Sequence, residues 1–273
     1  RGFSMYKLIA LDMDGTLFTS DKKITDRTKK AIAAAHAQGV KIVLASGRPL
    51  DGLHKPLAEL NLISDNEYVL CYNGALAVTA KSGTILSQCT LTGADCKRLF
   101  ALAQQIGVHC HAFSTKQGLI TNETSEYTEY EARLNEMTYT IINPQTDIAD
   151  DEIIIKVMFI DPPEILNEAV KKVPDWVYED FNAFNSSPFF FEITNKAVDK
   201  GAGLAQLAQR LNIRQEEVIA CGDESNDYSM IKYAGLGVAM GNAIDKVKAA
   251  ANYITDTNDN DGVAKVIEKF ILK

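Results

Sequence analysis

The sequence predicts an α/β protein, a parallel-sheet core interrupted by an inserted α+β unit, and three observations predict it. Short apolar runs end in polar turns, as in K-L-I-A-L before D-M-D-G-T and K-I-V-L-A before S-G-R. A helical segment separates those two runs, which is the order of a right-handed strand–helix–strand crossover. The rhythm then breaks near Gln88 and resumes beyond Ser187. The expected division is residues 1–87 and 188–273 for the core and 88–187 for the inserted unit.

Lys7–Leu11 is a near-continuous apolar run, the pattern of a strand buried on both faces of a parallel sheet. Asp26–Gln38 reads as a helix, with Thr25 as N-cap and Gly39 just past its end. Lys41–Ala45 is the second strand, and Tyr68–Tyr72 is a third that runs into Asn73-Gly74 and a hairpin. The middle of the chain mixes a helix over Ala94–Ile106 with strands at Gly118–Thr121 and Ile153–Ile160. Phe189–Ile193 as strand, Gly201–Leu211 as helix and Val218–Cys221 as strand restore the core pattern. Arg1–Ser4 precede Met5 and read as a remnant of expression, outside the fold.

Composition narrows the function classes. Among 273 residues, 28 basic and 36 acidic side chains give a net charge of −8, which disfavours nucleic acid and anionic membranes as partners. Five cysteines (Cys71, Cys89, Cys96, Cys110, Cys221) are scattered and never paired as C-x-x-C, so neither a disulfide framework nor a zinc site is indicated. No signal peptide precedes the first strand, and Ile153–Ile160 is too short to span a bilayer. A soluble cytoplasmic protein is the expectation.

Four polar clusters follow expected strands: Asp12 and Asp14, Ser46, Lys200, and Asp223 with Asp227. In an open α/β sheet that edge is where ligands bind. A phosphate monoester is a dianion that resists attack, so its hydrolysis needs a nucleophile, a cation, anchors for the non-bridging oxygens and an acid for the leaving group. D-x-D at a strand end lets Asp12 and Asp14 reach one site while Met13 turns away. A carboxylate nucleophile on Asp12 and an acid and base on Asp14 would suit that chemistry. Asp223 and Asp227 offer the oxygen ligands that magnesium prefers. Ser46 with Gly47, Asn73 and Lys200 are candidate contacts to phosphate or substrate. Each cluster alone also fits a solvated loop, a helix cap or a tight turn; their common placement is what points to a site.

With D-M-D-G-T-L at Asp12–Leu17, S-G-R at Ser46–Arg48, Y-N-G-A at Tyr72–Ala75, D-K-G at Asp199–Gly201, G-D-E-S-N-D at Gly222–Asp227 and V-A-M-G-N-A at Val238–Ala243, the chain resembles the haloacid dehalogenase superfamily, more narrowly its Cof-type (class IIB cap) sugar phosphatases. The resemblance implies a Rossmann-like core with the inserted unit as a cap. It implies Asp12 as nucleophile, Asp14 as acid and base, and Ser46 and Lys200 as phosphate anchors. Magnesium would sit on Asp12, the Asp14 carbonyl and Asp223, with Asn226 and Asp227 completing or orienting the site.

The expected activity is magnesium-dependent hydrolysis of small phosphate monoesters, sugar phosphates first, through an aspartyl phosphate on Asp12. A phosphotransferase or phosphomutase would share every core motif, and phosphorylated vitamins such as pyridoxal phosphate or flavin mononucleotide are alternative substrates. A signalling receiver would be about half this length and would lack the second aspartate. His109, His111 and Tyr127 are the polar candidates for substrate choice in the inserted unit.

Overall fold

The computed structural model describes residues 5–272, and the expectation for Arg1–Ser4 lies outside them. The chain up to Gln88 and the chain from Asp199 onward form one compact unit, and Cys89–Val198 forms a second. The first segment supplies β1 (Leu8–Leu11), β2 (Lys41–Ala45), β3 (Tyr68–Cys71), β4 (Leu76–Thr79) and β5 (Ile85–Gln88). The second unit supplies β6 (Leu91–Thr92), β7 (His109–Ser114), β8 (Gly118–Thr121), β9 (Tyr139–Ile141), β10 (Ile153–Ile160), β11 (Phe181–Ser187) and β12 (Phe190–Asn195). The last segment returns β13 (Val218–Gly222), β14 (Leu236–Ala239) and β15 (Tyr253–Ile254).

The first unit is built on one sheet in the order β15-β14-β13-β1-β2-β3-β4-β5. Its centre is parallel, with Leu8 opposite both Val218 and Lys41, and β4 and β5 are antiparallel additions at one edge. The apolar runs are apolar throughout because both faces are covered. Leu8, Ala10, Val43 and Leu70 pack against Leu204 and Leu207 of the helix Lys200–Arg210, while Ile9, Leu11, Ile42 and Leu44, which point the other way, are equally buried. The helix after β1 runs Asp26–Ala37; Thr25 Oγ1 accepts the Thr28 N–H at 3.2 Å, Gln38 caps the far end, and Gly39 at φ +87° lets the chain turn into β2. Every strand end carrying a candidate residue therefore opens on one edge of this sheet: Asp12 after β1, Ser46 after β2, Asn73 after β3 and Asp223 after β13.

The second unit has its own mixed sheet, ordered β11-β12-β10-β7-β8-β9, with β6 added to β10. Here the two faces differ. Cys110, Ala112, Val157, Phe159, Phe191 and Ile193 pack against Leu99, Leu166 and Val177 of the covering helices, while His111, Lys156, Met158 and Glu192 alternate onto the opposite face. The expected boundary at 187/188 is corrected by this sheet. Phe189–Ile193 was expected to be a core strand, yet β12 pairs antiparallel with β10 (Val157 opposite Ile193) and with β11, so the chain leaves the second unit only after Val198. An apolar run does not name its sheet. Backbone pairing on both sides holds β12 in this sheet, and there the nearly buried Glu192 carboxylate lies 3.2 Å from Lys156 Nζ.

His111 is wholly buried, with Nδ1 2.9 Å from Thr128 Oγ1. Burial, then the charge of Lys156, push its imidazole down to about 3. The unfolded chain, with a histidine near its ordinary value of about 6.5, binds the proton more readily, so stability is full above that value and falls as the pH drops towards the folded one. We expect chemical denaturation to show a loss on the order of 2 kcal/mol from this group between pH 7 and pH 4.5. His111→Gln should lack that share of the acid loss. A variant that loses as much as the parent would clear His111 of responsibility.

Candidate active site

Lys200 is the centre of the site. It opens the helix Lys200–Arg210, is completely buried, and places Nζ 2.6 Å from Asp12 Oδ1 and 2.7 Å from Asp227 Oδ1. A buried ammonium without such partners would be prohibitively costly. Burial works against its charge, but Asp12 and Asp227 outweigh it and raise the lysine above its ordinary value. Because β12 lies in the other sheet, Lys200 does not follow a core strand as expected; it reaches the same sheet edge from the start of a helix whose N-terminus is capped by Asp199.

Asp12 continues β1, its N–H bonded to the Cys221 carbonyl at 3.1 Å, so the two central strands of the site run side by side into their turns. Asp223 lies at the end of β13, and its Oδ1 accepts from Thr16 Oγ1 at 2.9 Å. Asp227 is fully buried; its Oδ2 accepts the backbone N–H groups of Asp223 and Glu224 at 2.9 and 3.1 Å and so shapes the loop that presents Asp223. One carboxylate oxygen each from Asp12, Asp223 and Asp227 falls within 4.8 Å of the others. Burial raises the Asp12 carboxyl to about 7 against the opposing pull of Lys200, and burial raises Asp223 to about 6 against the Thr16 hydrogen bond. A set of crowded oxygen donors that cannot all hold charge unaided is the chemistry that suits a hard divalent cation.

Asp14 stands apart from that cluster. Its carboxylate is half exposed and takes a 2.7 Å hydrogen bond from Lys22 Nζ and a 3.1 Å one from Arg48 Nη2. Partial burial would raise it, but the Lys22 hydrogen bond and the Arg48 charge prevail and hold it below the usual carboxylate range. The sequence alone gives no task to Lys22, Arg48 or Thr16, although Arg48 and Thr16 lie inside the quoted motifs.

The remaining candidates of the first unit line the same edge. Ser46 is buried, its Oγ accepting the Arg48 N–H at 3.1 Å and its carbonyl the Asn73 N–H at 2.9 Å. Asn73 sits at φ 55°, ψ 36° in the hairpin between β3 and β4, and its Oδ1 accepts from Asn226 Nδ2 at 3.1 Å. Asn226 thus touches Asn73 rather than the carboxylate cluster. At Gly47, a Cβ would come within 3.2 Å of the Asn73 amide. In the second unit, His111 is enclosed, His109 Nδ1 lies 3.0 Å from Asp161 Oδ1, and Tyr127 stacks on Phe189 at 5.2 Å between ring centres.

Comparison with known proteins agrees with this arrangement. A profile of the family described as haloacid dehalogenase-like hydrolase matches residues 9–267. YxeH of Bacillus subtilis (strain 168) is 41% identical over 98% of this chain and 99% of its own length. From the same organism, 5-amino-6-(5-phospho-D-ribitylamino)uracil phosphatase YcsE is 34% identical over 97% of this chain and 96% of its own. Among solved structures, a haloacid dehalogenase-like hydrolase from Bacteroides thetaiotaomicron superposes with a TM-score of 0.84 at 35% identity, covering 97% of this chain and 99% of the other. The subclass IIB sugar phosphatase BT4131 gives a TM-score of 0.74 at 27% identity, covering 97% and 98%. With a parallel core sheet, a carboxylate-and-lysine cluster at its edge and a family match over nearly its whole length, the chain belongs to the haloacid dehalogenase-like hydrolases, among their phosphatases.

Proposed function

We propose that this protein hydrolyses alkyl phosphate monoesters of small polyhydroxylated metabolites, sugar phosphates foremost, through an aspartyl phosphate on Asp12. The observation that carries the reading is the division of labour between two carboxylates two residues apart. Asp12 is buried against Lys200 and grouped with Asp223 and Asp227, whereas Asp14 is held outside that group by Lys22 and Arg48.

Asp12 attacks phosphorus, the ester P–O bond breaks, and the departing alkoxide takes a proton from Asp14. Water then attacks the acyl phosphate; Asp14 takes its proton, and phosphate and the free Asp12 carboxylate result. Lys200 and Ser46 anchor non-bridging oxygens, with Gly47 leaving the approach open and Asn73 facing the substrate. Paired with Lys22 and Arg48, Asp14 is an ionised carboxylate ready to act as base; to act as acid it must leave these cations and gain a proton. Magnesium, held by Asp12, Asp223 and the Asp14 carbonyl, would supply neutralising charge between the carboxylates and the dianion. Asp227 and Asn226 would act as supports, Asp227 through the Asp223 loop and Asn226 through Asn73.

A second substrate reading is favoured by the relatives YcsE and YitU, both named as phosphatases of 5-amino-6-(5-phospho-D-ribitylamino)uracil. That compound shares with sugar phosphates a phosphate esterified to a polyol chain, so both demand an acid for a poor leaving group.

Phosphate release from a panel of sugar phosphates and this ribityl compound, with magnesium and after EDTA, tests the reading. Activity unaffected by EDTA would sink the magnesium requirement. Asp14→Asn should lower kcat/KM about 10²- to 10⁴-fold more for the best alkyl phosphate than for p-nitrophenyl phosphate, whose leaving group departs without a proton. Equal losses on both would remove Asp14 as the acid.

A further inference from the structure

The V-A-M-G-N-A segment enters the site through Asn242. Asn242 Nδ2 donates to the Gly15 carbonyl at 2.9 Å, and its Oδ1 accepts the Asn258 N–H at 3.0 Å. Asn258 in turn donates from Nδ2 to the Phe18 carbonyl at 2.9 Å. The next residue, Asp259, accepts from Ser20 N and Ser20 Oγ at 2.8 and 2.7 Å. The turn carrying Asp12 and Asp14 is thus gripped at Gly15, Phe18 and Ser20 by three side chains distant in sequence.

The segment that holds Asn242 is itself stitched to the other carboxylate-bearing strand. Met240 N donates to the Gly222 carbonyl and Ile244 N to the Asp223 carbonyl, both at 3.0 Å. Asn242 lies midway between these two bonds, so its side chain links the Asp12 turn to the end of β13. The linked surfaces have no slack. Gly15 has φ +79°, a Cβ there would collide with the Asp223 carboxylate, and Thr16 Oγ1 already bonds Asp223 Oδ1.

We propose that Asn242, oriented by Asn258, is a positioning residue that sets the spacing of the Asp12 and Asp223 carboxylates and with it the affinity of the site for its divalent cation. The inference rests on the magnesium reading above. Magnesium accepts little deviation from ideal contacts of about 2.0–2.1 Å, so a turn free to drift relative to β13 weakens binding before it disturbs the fold. Outer partners of metal ligands typically contribute 10- to 100-fold in affinity. Asn242 is exposed and Asn258 only partly buried, so their truncation should leave the fold standing.

Calorimetric titration of magnesium into the full chain tests this. The parent should bind, and Asn242→Ala and Asn258→Ala should each raise Kd at least about 10-fold, with kcat returning towards the parent's at saturating metal. Asn260→Ala, whose amide bonds within its own loop to Asp256 at 3.3 Å, should leave Kd unchanged. If Asn242→Ala does not fold, Asn258→Ala carries the test, because it leaves Asn242 in place but unclasped. A folded Asn258→Ala or Asn242→Ala that binds magnesium as tightly as a parent that does bind would overturn the proposal. A parent that binds no magnesium would instead overturn the underlying reading.

Discussion

Asp12→Asn should lower phosphate release by at least about 10⁴-fold while leaving the protein folded. An amide oxygen cannot form the acyl phosphate, and no other carboxylate can substitute: Asp223 and Asp227 are held in the loop after β13, and Asp14 is occupied by Lys22 and Arg48. The fold should not suffer, because burial already makes the Asp12 charge unfavourable and two further carboxylates crowd it. Lys200 retains Asp227 as its counter-ion. The measurement pairs phosphate release with a thermal melt in metal-free buffer, where the variant should melt no lower than the parent. Turnover near the parent's, in a sample shown by mass spectrometry to be free of deamidation, would mean that water attacks phosphorus directly.

The second large effect is on stability. Lys200→Met should destabilise the protein by about 3–5 kcal/mol at pH 8, the range expected when one member of a buried ion cluster is removed and its partners stay behind. Asp12, Asp223 and Asp227 would then share a buried space with no positive charge among them. The sign of the pH dependence follows from Asp12. Its folded value lies above the unfolded one, so the native state takes up a proton more readily, and acidification from about pH 7 towards 4 relieves the native state. Without Lys200 that relief must grow, so the gap between variant and parent should narrow from pH 8 to pH 5. Urea denaturation at both values measures it. A gap that is small, or that does not change with pH, would show that Lys200 is not what neutralises the cluster.

Several features were legible in the sequence because their causes are local. A run apolar at every position, as in K-L-I-A-L, can be satisfied only where both faces are covered, so β1 and β2 announced a parallel sheet. Thr25 and Gly39 bounded the first helix because capping and a positive φ are properties of single residues. The candidate residues could be enumerated for a related reason, since a turn at the end of such a strand is where polar side chains collect. What they do to one another is another matter. That Lys200 is enclosed between Asp12 and Asp227, that Asp14 is drawn aside by Lys22 and Arg48, and that Asn242 bonds Gly15 all depend on residues 8 to 227 positions apart. The same holds for Phe190–Asn195, whose composition specified a strand but whose place between β10 and β11 rests on ladders to segments that come together only in the folded chain. The sequence by itself determined the α/β class, the strand-end placement of Asp12 and Asp223 and the limits of the early elements, because propensity, periodicity and capping act within a few residues. Only the tertiary structure decided which charges neutralise which and where the second unit ends, because burial and pairing energies exist only once distant segments have met.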